Sequence, residues 1–221
     1  MRYKRKELIS YIIKFEDCLN ITNGNKKVSP LHAGLTFRHM DYKYYEKLLN
    51  FSKNDPDFKD FNGKTFIHHI STMISKPNSH IFIPLLKLVL SKGANPNFYD
   101  SNLKSPLYIA TERNNFPMLG FAVGWNRMVI NNQQPNSKIF DFNIRNTNKG
   151  LSCLHKACSK PNLSLITEIT RDLGTKAYIL DNSHLIPRYC IQKSYLTSRK
   201  MVLGLERVQL IVHFKSNCFF L

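Results

Sequence analysis

The sequence is short of acidic residues and of long apolar runs. Among its 221 residues, 15 are Asp or Glu and 32 are Lys or Arg, which gives a formal net charge of +17 at pH 7. No run approaches the roughly 20 apolar residues that a membrane-spanning helix requires, so we expect no membrane span. The positive charge favours acidic partners such as an acidic protein surface, RNA or anionic lipid. The joint abundance of Asn, Lys and Ile is equally compatible with a purely compositional origin of that charge.

Cysteine is also scarce, with five residues at irregular spacing. An odd number in a chain of this length argues against a disulfide framework and for a reducing compartment. The basic start of the sequence has only a short apolar stretch and includes Glu7, with Glu16 close behind. We interpret it as an amphipathic helix and not as a secretory signal, with a mitochondrial presequence as the weaker alternative. These features predict an intracellular, cytoplasmic location.

The motifs of common catalytic and metal sites are missing. Gly63–Thr65 resembles the end of a phosphate-binding loop, but Phe58 replaces the glycine that the loop requires five residues earlier. Acidic residues are too scattered to suggest a carboxylate pair for acid–base catalysis. Cys153, His155 and Cys158 fall in or beside one predicted helix and do not supply the four converging ligands of a structural zinc site. The sequence therefore predicts a non-catalytic protein with no metal and no cofactor.

A turn followed by a helix start recurs along the chain. The helix starts lie near residues 29, 65, 105, 152 and 186, with spacings of 36, 40, 47 and 34 residues. Ser or Thr opens the first four helices, as is typical of N-caps, and turn signals such as Asn62-Gly63 lie upstream. Repeats of this length indicate stacked units, each too small to bury its own apolar face.

Four segments share a motif at these starts, namely Ser29–His32, Thr65–His68, Ser105–Tyr108 and Ser152–His155. They resemble the Thr-Pro-Leu-His-x-Ala signature of the ankyrin repeat family, whose unit of about 33 residues contains a turn and two helices. The resemblance implies an all-α fold, an ankyrin-type helix-turn-helix repeat solenoid with short β-hairpin turns.

The resemblance covers residues 25–195 and divides the chain into three parts. Residues 1–24 are predicted to be an N-terminal capping helix, and residues 196–221 a C-terminal cap or docking segment. A polar insert, in a loop or a disordered segment, is predicted at about 125–139. Gly93 follows an apolar helix in the way that the family's second helix ends, and we expect it to cap that helix.

The resemblance also assigns structural roles within each unit. The motif histidine is expected to hydrogen-bond the backbone of the neighbouring turn, and Tyr108 replaces it in the third unit. Leu85, Leu86 and Leu107 are expected to hold the stack together, because burial of such side chains contributes about 1.5–3 kcal/mol each. The predicted structural positions are Pro30, His32, His68, Gly93, Pro106, Tyr108 and His155.

Ankyrin repeats usually bind other proteins through their hairpin tips and the concave face of their first helices. The resemblance therefore implies a scaffold for protein–protein interaction, with an acidic partner suited to a row of cations. Candidates on the first helices are Arg38, His69 and Arg113. Candidates at the tips are Asn62, Lys64, Asn102, Lys104, Asn148 and Lys149.

Two other functions remain open at this point. One is a structural subunit of a large ribonucleoprotein or filament-associated assembly, which the net charge and the predicted insert would suit. Direct nucleic-acid binding is less favoured, because the aromatic–basic clusters on which bases stack are missing from the sequence. The sequence does not indicate an oligomeric state.

Overall fold

The computed structural model describes residues 32, 35, 42–50, 55–74, 79–134, 137–160, 162–172 and 174–187. Within these ranges the chain is helical, and its extended pairing amounts to one isolated antiparallel bridge between Asn146 and Leu151. The predicted capping helix at 1–24, the segment 196–221, Pro30 and Arg38 lie outside the described residues.

After the first described helix, the others form three pairs. In each pair a short first helix is followed by a longer second helix. In chain order they are α1 Tyr42–Asn50, α2 Phe66–Met73, α3 Ser79–Ser91, α4 Pro106–Glu112, α5 Phe116–Ile130, α6 Cys153–Cys158 and α7 Leu163–Thr170. The first helices α2, α4 and α6 pack side by side. The second helices also pack on one another, α1 on α3 and α5 on α7.

The first helices begin where the N-cap residues predict. Ser105 Oγ accepts a hydrogen bond from the Tyr108 N–H, and Pro106 occupies the start of α4, where its missing N–H costs nothing. Thr65 and Ser152 cap α2 and α6, and the imidazole three residues later accepts the N–H of each cap residue. The predicted helix starts near 65, 105 and 152 are therefore confirmed.

The core is a single cluster that runs through the stacked helices. Leu85, Leu86 and Leu107 are at most 1% exposed, which confirms their predicted burial. Gly93 lies two residues after the end of α3 with a φ of +88°, and its N–H donates to the Leu90 carbonyl at 3.0 Å. Because a left-handed residue at this point favours glycine, the predicted cap is also confirmed.

The prediction of a polar insert at 125–139 is wrong for residues 125–130. Helix α5 continues to Ile130, and Trp125 is buried within it. The indole ring of Trp125 stacks on Phe121, with 5.9 Å between the ring centroids, and its Nε1 donates to the Lys138 carbonyl at 3.2 Å. The segment after α5 thus comes back to Trp125 at Lys138, and the helix runs beyond its expected end.

A buried amide fixes this return. Asn126 Oδ1 accepts the Phe140 N–H at 2.8 Å, and its Nδ2 donates to the Phe140 carbonyl at 2.8 Å and to Asp172 Oδ1 at 2.9 Å. The side chain is 3% exposed. A buried amide needs its hydrogen-bonding groups satisfied, so this network joins α5 to the next connection and to the end of α7.

Candidate protein-interaction surface

Four matching turns lie between the helix pairs, the three predicted tips and a further one at Asp181–Leu185. Three of them, Asp60–Lys64, Asp100–Lys104 and Asp181–Leu185, have five residues each. In each turn, the aspartate Oδ1 accepts two backbone N–H groups at 2.8–3.0 Å. The aspartate N–H also donates to the carbonyl of the last turn residue. The fourth turn, Asn146–Leu151, is one residue longer, and backbone hydrogen bonds of 2.7 and 2.8 Å join its ends.

Neighbouring tips are hydrogen-bonded to one another in series. A backbone N–H of each tip donates to a backbone carbonyl of the preceding tip at 2.8–2.9 Å. The bonds run from Ser101 to Asn62, from Thr147 to Leu103 and from Asn182 to Lys149. The four tips therefore form one continuous edge, which we call the tip edge.

Histidines at the start of the first helices hold this edge to the helical stack. Each histidine Nε2 lies 2.9–3.2 Å from a carbonyl of the next tip. The pairs are His32 with Lys64, His68 with Lys104, and His155 with Leu185. In the latter two pairs Nδ1 accepts the N–H of the cap residue, so Nε2 carries the proton and donates it. The predicted role of the motif histidines is confirmed.

The unit that has Tyr108 in place of histidine is joined to the next tip by a side chain of that tip. Asn146, on the following tip, accepts the Ser105 N–H at 2.6 Å and donates to the Ile144 carbonyl at 2.6 Å. Its side chain is fully buried. The sequence signal for this exchange is present: Asn146 stands where the other tips have aspartate, in the unit after the missing histidine.

One tip holds a leucine in a backbone conformation that suits glycine. Leu103 has a φ of +55°, and Gly63, at the matching position of the preceding tip, has a φ of +69°. The Leu103 side chain is 46% exposed, so little packing would be lost on its removal. A left-handed conformation costs an L-residue about 1–2 kcal/mol. Replacement by glycine removes this cost, but part of the gain is offset because glycine loses more conformational entropy on folding.

We therefore expect Leu103→Gly to raise the free energy of unfolding by about 0.5–1 kcal/mol, as measured by chemical denaturation. Gly63→Ala is the matched opposite change. It should destabilise, because a Cβ at Gly63 would lie 2.9 Å from the Ser101 nitrogen. Destabilisation by Leu103→Gly would mean that the leucine side chain contributes more than its exposure indicates.

The predicted tip residues differ in their surroundings. Asn102, Asn148 and Lys149 are exposed, whereas Asn62, Lys64 and Lys104 are half-buried. Lys104 Nζ lies 2.7 Å from Glu112 Oε2 and is thus already paired with an acid.

The two described first-helix candidates also differ. His69 Nε2 lies 2.9 Å from Asp60 Oδ2, so this histidine supports a tip from within the chain. Burial raises the pKa of Asp60, but hydrogen bonds from the Lys64 N–H and from His69 outweigh it, and the net pKa is lowered. Arg113 is exposed at the end of α4.

The structure adds basic residues that the sequence did not single out. Glu112, at the end of α4, lies between Lys104 of the tip edge and Lys156 of α6, with Nζ–O distances of 2.7 and 3.3 Å. Lys160, one turn beyond Lys156, donates to the Thr111 carbonyl at 3.4 Å and also bonds the Glu112 carbonyl. We refer to Lys104, Glu112, Lys156 and Lys160 as the lysine–Glu112 cluster.

The pKa values in this cluster reflect burial and crowded charge. Burial raises the pKa of Glu112, but the hydrogen bond and charge of Lys104, together with Lys156, reverse this and lower it. Burial, and then the Lys156 ammonium, lower the pKa of Lys160. The cluster thus brings three lysines and one carboxylate together at half-buried positions.

Cys153 and His155 of α6 contribute to packing and to hydrogen bonds within the chain. Cys153 is fully buried, and burial raises the pKa of its thiol to about 12, so it is a neutral thiol and not a thiolate ligand. His155 is committed to the cap residue and the next tip. Across the part of the chain that the structure describes, no group of three or more His, Cys, Asp or Glu side chains could hold a metal ion.

Comparison with models of protein families gives no match. A search of curated proteins likewise finds none that matches this chain. Among the described helices, none combines the length and the apolar character needed to cross a bilayer.

Proposed function

We propose that this chain is a non-catalytic scaffold of the ankyrin repeat type that binds an acidic surface of another protein. The observation that carries the proposal is the tip edge, on which three consecutive tips each bring a lysine, Lys64, Lys104 and Lys149. Hydrogen bonds between the tips fix the spacing of these lysines. A row of like charges on a backbone held by hydrogen bonds favours an extended partner of opposite charge, because this backbone needs little ordering on binding.

The repeat geometry supports the ankyrin assignment. Motif histidines reach across one unit, from His68 to the carbonyl of Lys104 and from His155 to that of Leu185, separations of 36 and 30 residues. First helices pack on first helices, as expected for stacked units that bury a shared core. The β-hairpin character of the tips remains a prediction, as does the cytoplasmic location.

Reversing the charge of two tip lysines tests the proposal. Lys64→Glu combined with Lys149→Glu leaves Lys104 and its ion pair unchanged. We expect the double variant to lose the proteins that the wild-type chain captures from a cell lysate, as identified by mass spectrometry, and to lose affinity for each once it is purified. Raising the salt concentration should weaken the wild-type complexes in the same way, because rim charges are screened.

A matched control separates this surface from net charge alone. Lys87→Glu combined with Lys92→Glu reverses the charge of two exposed lysines away from the tip edge. Lys87 lies in α3, and Lys92 follows its last residue. This control should keep the partners of the wild type. Equal losses in both double variants would show that only the total charge matters, and unchanged partners in the Lys64/Lys149 variant would exclude the tip edge as the binding surface.

A further inference from the structure

The lysine–Glu112 cluster has a charge balance that its own chain does not complete. Each carboxylate oxygen of Glu112 pairs with one lysine, Oε2 with Lys104 and Oε1 with Lys156. The Lys160 ammonium instead contacts neutral oxygens, the carbonyls of Thr111 and Glu112 and Asn114 Oδ1 at 3.3 Å. Within the described residues Lys160 makes no ion pair, so the cluster keeps a net charge of two positive units.

Partial burial makes this excess charge effective in binding. The side chains of Lys104, Glu112 and Lys156 are 26–29% exposed. Charges in such positions interact more strongly and are screened less by salt than fully exposed ones. Lysines on the outer side of α3, such as Lys87, are exposed and lack this neighbourhood.

Glu112 itself shows which group fits here. One carboxylate already bridges an ammonium from a tip and an ammonium from a first helix, at hydrogen-bonding distances. We infer that the acidic partner places a carboxylate side chain at the lysine–Glu112 cluster, and that Glu112 competes with it as an internal counter-ion. The inference rests on the proposed function and identifies where on this surface, and against which residue, the partner binds.

A protein carboxylate is favoured over a nucleic-acid phosphate at this position. Proteins that bind single strands combine positive charge with aromatic side chains on which the bases stack. The residues hydrogen-bonded to the cluster, Thr111 and Asn114, offer no such platform. Glu112 would also repel the closely spaced phosphates of a strand, whereas a protein segment can present a single carboxylate.

The test removes the internal competitor without removing its shape. Glu112→Gln should bind a fluorescein-labelled oligo-glutamate peptide about threefold to tenfold more tightly than the wild type in fluorescence anisotropy at low salt. Lys156→Gln, which keeps the pair between Lys104 and Glu112, should weaken binding by a similar factor. Thermal melts of both variants verify that the protein remains folded.

Two matched controls account for net charge. Glu168→Gln removes a carboxylate that is also ion-paired, with Arg171 at 3.1 Å, and Lys87→Gln removes a lysine from α3. Both should change the affinity for the peptide by less than about twofold, because neither belongs to the cluster and the salt bridge between Glu168 and Arg171 lies on the surface. Equal effects of Glu168→Gln and Glu112→Gln would overturn the inference.

Two further outcomes would also contradict it. If Glu112→Gln leaves the affinity for the peptide unchanged, Glu112 does not compete with a partner carboxylate. If the variant gains as much or more affinity for oligouridylate as for oligo-glutamate, the cluster is not selective for a protein partner. Either result can occur while the tip-lysine variant still loses its partners, so this inference can fail without the proposed function.

Discussion

Replacing Leu107 with alanine should lower the free energy of unfolding by about 2–5 kcal/mol. Leu107 is 1% exposed and lies on α4, which packs against both α2 and α6. Removing three carbons at this point leaves a cavity between stacked units. The neighbouring side chains are held by their own helices and can fill the cavity only in part, so the cost exceeds that of simple transfer to water.

Chemical denaturation measures this loss, with the denaturant dependence of the unfolding free energy confirming that the unfolding transition is otherwise the same. Leu180→Ala is the matched control, because this leucine is 45% exposed. It should change stability by less than about 0.5 kcal/mol. Equal midpoints for the Leu107 variant and the wild type would contradict the stacked arrangement of α2, α4 and α6.

The helix starts and the histidine contacts could be predicted because their signals are local. A Ser or Thr cap and a histidine three residues later lie within one turn of helix. The same motif recurs along the chain, with Tyr108 in place of the histidine in one unit. The contact from His68 to the Lys104 carbonyl then follows from the repeat alone. Contacts at positions that break the pattern are harder to predict. Where Tyr108 replaces the histidine, Asn146 from the next unit accepts the N–H of the cap residue Ser105 instead.

The end of α5 could not be read from the sequence for a different reason. Asn126, Arg127 and most residues at 131–138 are polar, and such a composition favours a loop when considered locally. Burial of Trp125 depends on Lys138, and the satisfaction of Asn126 depends on Phe140 and Asp172. These contacts span 13 to 46 residues, so tertiary packing overrides the local preference.

The lysine–Glu112 cluster was missed for the same physical reason. Lys104 was predicted as a tip residue, but its pairing with Glu112 depends on the position of the tip over the end of α4. Lys160 reaches that end from 48 residues further along the chain. The three tip lysines occupy similar places in the sequence, whereas packing pairs Lys104 with Glu112 and so distinguishes it from Lys64 and Lys149.

Acidification is expected to destabilise the protein strongly between about pH 6.5 and pH 4. Burial lowers the pKa of His32 to about 4, with the charge of His69 adding to the effect, and burial likewise lowers the pKa of His68 to about 4. The ordinary pKa of an unfolded histidine is about 6.5. The unfolded chain therefore binds protons in this range before the folded chain does.

The sign follows from that difference. Above about pH 6.5 both states hold these histidines neutral, and their contribution to stability is complete. As the pH falls, protonation of the unfolded state lowers the unfolding free energy, until the folded state also binds protons near pH 4. At pH 5 the loss is about 2 kcal/mol for each histidine, or about 4 kcal/mol for both, relative to neutral pH.

Denaturation curves at a series of pH values, for the wild type and for His68→Gln, test this expectation. The variant should be less stable at neutral pH, because the bond to the Lys104 carbonyl is perturbed, but its stability should fall about half as steeply between pH 6.5 and 4. His80→Gln, at an exposed position of α3, should keep the wild-type slope. If His68→Gln also keeps that slope, His68 is not the buried neutral group that links the tip edge to the stack.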